Sequence, residues 1–255
     1  MCHGPRPPDL PRRKAFETSD WHASRTNSSR RASCAEEAIA RKAVERESAR
    51  EYIPPNANLA ELRVAAESCH GCPLYRDATQ VVFGEGSARA LIMLVGEAPG
   101  NDEDLEGRPF VGPAGRLLDR ALEEAGVERR QVFVTNAVKH FKFEQRGKVR
   151  IHKKPNGREI TACKPWVEEE FRVVRPQVVV CLGATAAQSL LGRDFRVTQR
   201  RGEVVASEFC PQTIATYHPS AVLRAPTSDQ RASMRQALVD DLTTAHRLLE
   251  DAGRT

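Results

Sequence analysis

Short apolar runs at regular intervals organise the chain from about residue 58 onward. Four of these runs are predicted to be strands, and they cover residues 90–95, 132–134, 177–182 and 213–217. A run that is apolar at every position, such as Ala90–Val95, is typical of a strand buried on both faces. The pattern therefore predicts a sheet that lies inside the protein rather than on its surface.

Between and after these strands, apolar residues recur at helical spacing. The predicted helices cover residues 113–125, 160–174, 184–191 and 233–249, and Gly126 and Gly192 end two of them. Strands that alternate with helices predict an α/β fold, here a three-layer αβα sandwich with a central, mostly parallel, four-stranded sheet. Ligands of such sheets bind where the strands end, so the loops that follow the strands form the candidate site.

The first 57 residues differ in composition from the rest of the 255-residue chain. They are rich in arginine, serine and proline and poor in aliphatic residues, so they cannot bury enough apolar surface to offset the entropy lost on ordering. We expect a basic, disordered extension over residues 1–57 and one globular domain over residues 58–255. No secretory signal or membrane-spanning run is visible, so we expect a cytoplasmic protein without a membrane partner.

Four of the seven cysteines lie at positions that favour a metal site. Cys69 and Cys72 form a CxxC motif before the first strand, Cys163 lies in a predicted helix, and Cys181 lies in the following strand. In a reducing compartment, such thiols indicate metal binding more often than disulfides. They could hold a [4Fe–4S] cluster or zinc, although buried cysteines such as Cys163 and Cys181 also occur as small core residues.

Candidate chemistry follows three of the predicted strands. Glu97 stands in a tight Gly-Glu-Ala-Pro-Gly loop, Asn136 ends the second strand, and His218 follows the fourth. An asparagine amide offers one acceptor and two donors to a planar base. Phe110 is an aromatic residue in a polar, glycine-rich loop, which suits a stacking platform for a flat ring. These residues predict a site for a planar ligand at one edge of the sheet.

The segment from residue 139 to residue 154 is the densest basic part of the chain. It contains seven lysines and arginines, one acidic residue, and two phenylalanines, Phe141 and Phe143. Basic residues interleaved with aromatic rings are typical of surfaces that follow a phosphate backbone. A solvated charge run is the other interpretation of this segment, and the neighbouring site residues favour contact with nucleic acid.

Taken together, residues 58–255 resemble the uracil-DNA glycosylase superfamily of the iron–sulfur type. The resemblance rests on motifs in a fixed order: CxxC at 69–72, VVFGEG at 81–86, GEAPG at 96–100, GRPFVGPAG at 107–115, TN at 135–136 and HPS at 218–220. The first strand-end loop is similar to that of family 4 enzymes. The Lys148–His152 segment is more similar to the UdgX branch, which carries KRRIH there and GEQPG in the first motif. Val149 and Ala98 depart from that branch.

The resemblance implies a role for each of these residues. Uracil in single-stranded DNA, or flipped from a duplex, would stack on Phe110 and be read by Asn136, while Glu97 and His218 would assist cleavage of the glycosidic bond. Further substrate contacts are implied for Gly96, Ala98, Arg150 and Arg224. The implied cofactor is a [4Fe–4S] cluster on Cys69, Cys72, Cys163 and Cys181.

In the UdgX branch, the loop histidine that matches His152 captures the sugar and stays attached to it. A histidine among cationic residues should favour its neutral, nucleophilic form. We therefore expect uracil excision followed by a covalent adduct through His152, in a monomeric, nucleoid-associated DNA-repair protein. The alternatives are a turnover family 4 hydrolase that uses water, which Ala98 favours, and a non-catalytic nucleic-acid-binding protein on the same fold.

Overall fold

A five-stranded sheet lies at the centre of the described residues, 48–252, of the computed structural model. The described residues contain seven strands, of which β3 and β4 form a separate hairpin. The strands are β1 Ile92–Gly96, β2 Val132–Asn136, β3 Phe143–Arg146, β4 Val149–His152, β5 Val178–Leu182, β6 Val204–Val205 and β7 Thr213–Thr216. The order across the sheet is β2-β1-β5-β7-β6, with the first four strands parallel and β6 antiparallel. Every residue of the four parallel strands is buried, as continuously apolar strands require.

Helices cover both faces of this sheet. They are α1 Leu59–Ala66, α2 Asn101–Glu106, α3 Pro113–Glu124, α4 Gly157–Val174, α5 Ala184–Leu191, α6 Val197–Arg200, α7 Pro219–Leu223 and α8 Ser228–Ala252. Apolar residues of α3 and α8 pack on one face, and those of α4 and α5 on the other. The predicted three-layer α/β fold is therefore confirmed. None of the helices described is long and apolar enough to cross a membrane.

The prediction of four strands was wrong by one edge strand. Val204 and Val205 pair antiparallel with Ile214 and Thr213 at the end of the sheet. Two residues are too few to show a strand period in the sequence, so only pairing with β7 reveals this strand.

The basic segment was expected to be a loop, and it contains a β-hairpin. Strands β3 and β4 pair antiparallel, with Phe143 opposite His152 and Arg146 opposite Val149. Gly147 closes the turn with a φ of +58°, a backbone conformation that favours glycine. Both strands are mostly exposed, so the sequence lacks the alternation of apolar and polar residues that would predict them.

The expected extension, residues 1–57, lies outside the described residues as far as residue 47. Its last ten residues pack against the domain, and Ala49 and Ala57 are 1% and 3% exposed. The guanidinium of Arg172 on α4 donates a hydrogen bond to the Ala57 carbonyl oxygen. Residues 48–57 therefore pack with the domain predicted to begin at residue 58, and the sequence did not indicate this because two small alanines give little hydrophobic signal.

Candidate active site

A cavity of about 740 Å³ opens at the carboxyl ends of the parallel strands. Glu97 directly follows β1, Asn136 ends β2, Leu182 ends β5, and His218 lies two residues beyond β7. The structure brings seven of the predicted site residues to the wall of this cavity: Glu97, Ala98, Phe110, Asn136, His152, His218 and Arg224. The common edge of a parallel sheet explains why residues so far apart in the chain meet here.

Gly96 and Gly115 leave room for Phe110, the residue predicted to stack on a flat ring. A Cβ atom on Gly96 would lie 2.3 Å from Oδ1 of Asn136 and 2.8 Å from Cζ of Phe110. A Cβ atom on Gly115 would lie 1.6 Å from the Phe110 carbonyl oxygen. Phe110 itself has a φ of +57°, which is rare for a residue with a side chain. Gly96 therefore lies behind Asn136 and Phe110 rather than on the cavity wall.

Asn136 offers an unused amide to a ligand. The residue is 3% exposed, and its side chain makes no hydrogen bond to the residues that the structure describes. The amide faces the cavity, so a ligand that pairs with it can satisfy its donors and its acceptor directly. The Phe110 ring lies 6.0 Å from the His218 ring, and both rings line the same cavity. This arrangement fits a planar heterocycle with both donor and acceptor atoms on one edge.

The position of His218 fixes its tautomer. Its Nδ1 atom accepts the backbone N–H of Ser220 at 3.1 Å, so the proton of the neutral ring lies on Nε2. Burial lowers the pKa of His218 to about 4, with further lowering by Arg224 and His152. His218 is therefore a neutral donor at neutral pH, able to hydrogen-bond to an oxygen that gains negative charge.

Glu97 and His152 face each other across the cavity. The Thr185 hydroxyl donates to Oε2 of Glu97, and Oε1 of Glu97 lies 3.9 Å from Nε2 of His152. Burial lowers the pKa of His152, Glu97 opposes this shift, and Arg224 adds to it. The neutral imidazole expected from the sequence is therefore explained first by burial rather than by the surrounding lysines and arginines.

Arg150 does not line the cavity, although it was expected to contact substrate. Its guanidinium donates to Oδ2 of Asp104 at 2.6 Å and to Oδ1 of Asn101 at 2.9 Å. It also lies 5.3 and 5.1 Å from the ring centres of Phe141 and Phe143. Asp104 is completely buried on α2, and it draws the guanidinium away from the cavity. Arg150 thus anchors the hairpin that carries His152.

The basic segment contains fewer unpaired cations than its composition indicates. Lys142 pairs with Glu159, and Lys153 pairs with Glu144. Lys148 and Lys154 are exposed, with no ion pair among the residues described, and Lys154 lines the cavity. The surface for phosphate contact is therefore smaller than the sequence predicts.

Three of the four predicted cluster ligands lie together. Cys69, Cys72 and Cys163 share one buried group, and no disulfide bond joins the described cysteines. The indole Nε1–H of Trp166 donates to Sγ of Cys69 at 3.2 Å, and the backbone N–H of Lys139 donates to Sγ of Cys163 at 3.3 Å. Buried thiols that accept N–H donors have the chemistry of cluster ligands, although no group of three or more histidine, cysteine or carboxylate side chains in the described part of the chain is arranged to hold a metal ion as it stands.

Cys181 does not join them. It lies on β5 with an exposure of 0%, in a separate apolar group with Ala186 and Ala215. Burial alone raises the pKa of its thiol to about 12, whereas the pKa of Cys163, also about 12, responds to Cys72 and Cys69 as well. The sequence alone does not show that these two cysteines have different environments. Cys163, on α4, packs with Cys69 and Cys72, whereas Cys181, on the following strand, packs in the core beside the sheet.

His140 is a candidate ligand that the sequence reasoning missed. It is 6% exposed, follows Lys139, and interacts electrostatically with His70 of the CxxC motif. Burial lowers its pKa to about 4, so its ring is neutral and able to bind a metal. Its ring makes no hydrogen bond to the described residues. The sequence offered one indication that His140 belongs to the site: it lies four residues after Asn136, where the buried strand β2 ends.

The fold and the cavity define an α/β protein with a cavity, lined by an aromatic ring, an amide, a carboxylate and two histidines, at the carboxyl edge of a mostly parallel sheet. Comparison with known proteins agrees: residues 83–243 match the family described as the uracil DNA glycosylase superfamily. The chain belongs to this superfamily.

Individual relatives include enzymes named type-4 uracil-DNA glycosylase. The chain is 38% identical to the one from Sulfurisphaera tokodaii, over 72% of this chain and 81% of that protein. It is 34% identical to the one from Thermotoga maritima, over 73% of this chain and 92% of that protein. It is 39% identical to the one from Archaeoglobus fulgidus, over 62% of this chain and 80% of that protein.

Proposed function

We propose that this protein excises uracil from DNA in base repair and that His152 then captures the resulting sugar covalently. The observation that carries the proposal is the position of His152, with Nε2 3.9 Å from Glu97 in the cavity that also contains Asn136 and His218. The partner is uracil-containing DNA, single-stranded or with the base flipped out of the duplex.

The base-recognition step uses Phe110 and Asn136. Stacking on an aromatic ring contributes about 1–3 kcal/mol for a base. The Asn136 amide can accept from N3–H of uracil and donate to O4 at the same time, while cytosine presents the reverse pattern. A ring larger than a pyrimidine, or one with the opposite hydrogen-bonding pattern, loses one or both contacts.

In the cleavage step, the bond between N1 of uracil and C1′ of the sugar breaks, and its electron pair goes to the base. Nε2–H of His218 donates to the uracil anion, and the Glu97 carboxylate stabilises the positive charge on the sugar. A new bond then forms from C1′ to Nε2 of His152. The alkylated imidazole carries a positive charge until its other ring nitrogen loses a proton to solvent.

A second route uses water as the nucleophile, as in a turnover hydrolase. Two observations favour it: the His152 side chain is 43% exposed, so solvent can reach it, and the small Ala98 side chain stands beside Glu97 where the UdgX branch has glutamine. The names of the type-4 relatives also support simple excision. A non-catalytic binder gains no support, because Glu97, Asn136 and His218 all line one cavity.

For the cofactor, we propose a [4Fe–4S] cluster held by Cys69, Cys72, Cys163 and His140. The buried thiols and the neutral, buried imidazole have the chemistry that this group requires, whereas Cys181 packs in a different apolar group from the other three thiols. The cluster would join the CxxC loop to α4 and supply no electrons, because excision of a base is redox-neutral. The monomeric state and the cytoplasmic, nucleoid-associated location remain predictions.

The test is a denaturing gel with a 5′-labelled, single-stranded oligonucleotide that contains one uracil. A band shifted by the mass of the protein supports covalent capture, and an alkali-cleavable abasic product without the shift supports the hydrolase. Neither product would contradict both routes. An oligonucleotide with thymine at the same position is the control, and it should give neither product.

A further inference from the structure

Lys139 was expected on a phosphate-binding surface, and the structure buries it completely. Its ammonium group donates to Oγ1 of Thr135 at 2.5 Å, to Oε2 of Glu170 at 2.7 Å and to the Asn136 carbonyl oxygen at 3.0 Å. These three acceptors match the three N–H donors of a lysine. The side chain therefore has one defined position, with no hydrogen left for a ligand.

Glu170 on α4 completes this buried network. One of its carboxylate oxygens accepts the backbone N–H of Gly84 at 3.0 Å, and the Thr135 hydroxyl donates to the carboxylate at 2.8 Å. A Cβ atom on Gly84 would lie 2.5 Å from that carboxylate, which explains the glycine in this motif. A buried ion pair adds little net stability compared with apolar residues, but it fixes the geometry of the groups it contacts.

The backbone of the same lysine reaches the cysteine group. Its N–H donates to Sγ of Cys163 at 3.3 Å, while its ammonium group holds the carbonyl of Asn136 at the end of β2. The intervening Val138 donates its N–H to the Glu97 carbonyl oxygen at 3.1 Å. A short stretch, residues 136–139, thus connects the residue proposed to read the base, the backbone of Glu97 and the Cys163 thiol.

We infer that Lys139 is a positioning residue that holds Asn136 in the orientation required to read uracil and couples this orientation to the cysteine site. The inference rests on the proposed function, since it assigns the base-reading role to Asn136. Lys139 touches neither the substrate nor the reacting atoms in this arrangement. Its effect is carried by the backbone of Asn136, and it should appear as base preference rather than as phosphate affinity.

The experiment compares wild type with the double variant Lys139→Met/Glu170→Gln. This pair removes both buried charges together, and the glutamine oxygen can still accept the N–H of Gly84. Lys164→Met/Glu208→Gln is the matched control, because it removes a partly exposed ion pair between the same helix, α4, and the loop before β7. For each protein we would measure iron content, the unfolding midpoint, and kcat/KM for uracil excision from single-stranded DNA.

A second measurement does not depend on catalysis. Oligonucleotides with a non-cleavable 2′-fluoro-2′-deoxyuridine, or with the thymine counterpart, report base preference in binding by fluorescence anisotropy. We expect the double variant to keep its iron and fold, to lose about tenfold to a hundredfold in kcat/KM, and to lose most of its binding preference for uracil. The control variant should match wild type in every measurement.

Unchanged kinetics and unchanged base preference in an iron-loaded double variant would overturn the inference. Loss of iron and activity in equal proportion, with normal base preference in the remaining folded protein, would also overturn it, since Lys139 would then only support the fold. If the double variant does not fold, Thr135→Val serves instead. It removes one acceptor of the ammonium group, keeps the ion pair, and should reduce uracil preference about threefold or more. An inactive wild type that still prefers uracil in binding would contradict the proposed excision and leave the positioning role intact.

Discussion

Nε2 of His152 and Oε1 of Glu97 lie 3.9 Å apart, too far for a hydrogen bond and close enough for both groups to contact one sugar ring. Partial burial lowers the pKa of the imidazole, and the Thr185 hydroxyl donates to the other oxygen of the carboxylate. The proposed nucleophile and a carboxylate thus lie together at the edge of a sheet whose other strand ends carry the groups proposed to read the base. Their separation leads to the first prediction.

Replacing His152 with serine should abolish the covalent adduct and leave uracil release largely intact. The shorter side chain cannot reach the sugar, and water can enter the vacated space while Glu97 and His218 remain. Glu97→Gln should instead slow release itself, because the positive charge on the sugar loses its anion. Denaturing gels and peptide mass spectrometry would check both outcomes.

The control for this prediction is His246→Ser, which changes a histidine on α8 near Gly126, away from the cavity. It should form adduct as wild type does. Equal uracil release by wild type and His152→Ser, with no adduct from either, would leave the hydrolase as the function of this protein.

Adduct formation should depend on pH through His152. Its pKa lies below the ordinary value of 6.5, so the ring is already neutral at pH 7 and above. The ratio of adduct to free abasic product should therefore fall with a midpoint below pH 6.5, as the ring becomes protonated. A midpoint at or above pH 6.5 would contradict the lowered pKa.

His218 should make the protein less stable in acid. Its pKa is about 4 in the folded protein and about 6.5 when unfolded, so the unfolded chain binds more protons between these values. The stabilisation is complete above pH 6.5 and is lost as the pH falls towards 4, by an amount on the order of 2–3 kcal/mol. His218→Asn can still accept the N–H of Ser220 and should lack this loss. Urea unfolding of both proteins at pH 7 and pH 4.5 measures the difference, and parallel losses would refute it.

Gly96→Ala should damage the site more than the fold. The new methyl group must displace the Asn136 amide or the Phe110 ring, since its Cβ would lie within 2.8 Å of both. Displacement of a base-reading group can reduce kcat/KM about a hundredfold, while overpacking costs about 1–3 kcal/mol of stability. Gly157→Ala is the matched control, because no atom lies within 4 Å of its Cβ position. Near-normal excision by Gly96→Ala would show that the base is read elsewhere.

The cysteines should divide into two groups by iron content. Cys163→Ser should lose iron and the brown colour, since this thiol belongs to the buried group with Cys69 and Cys72. Cys181→Ala should keep its iron and lose about 1 kcal/mol of stability from a small cavity in the core. His140→Cys should also keep iron, because a thiolate replaces one ligand with another. Iron loss in Cys181→Ala with retention in His140→Ala would restore the ligand set expected from the sequence.

Much of the fold and most of the cavity could be predicted from the sequence. Continuous apolar runs specify buried strands, and alternation with helices makes those strands parallel. Parallel strands end at one edge of the sheet, so the sequence alone predicts that Glu97, Asn136 and His218 lie close together, as they do on the cavity wall. The glycines at 96 and 115 were equally visible, although only the packing shows which atoms they make room for.

The residues that the structure places differently from the expectation are those whose environment depends on distant partners. Arg150 forms an ion pair with Asp104, and Lys139 forms one with Glu170. Cys181 packs in the apolar core beside the sheet. A lysine or arginine in a basic segment is predicted to be exposed, because the sequence does not show which acidic side chain will be buried beside it. The partner acids lie 46 and 31 residues away along the chain, on other elements.

The sequence by itself determined the strands, their common edge, and the chemical types present there, because these depend on local periodicity and on the direction shared by parallel strands. The tertiary structure alone decided which lysines and arginines form ion pairs, which cysteines share a buried group, and that Lys139 links Cys163 to Asn136. The physical reason is that burial and electrostatic pairing are properties of three-dimensional neighbours, and a linear pattern does not specify those neighbours.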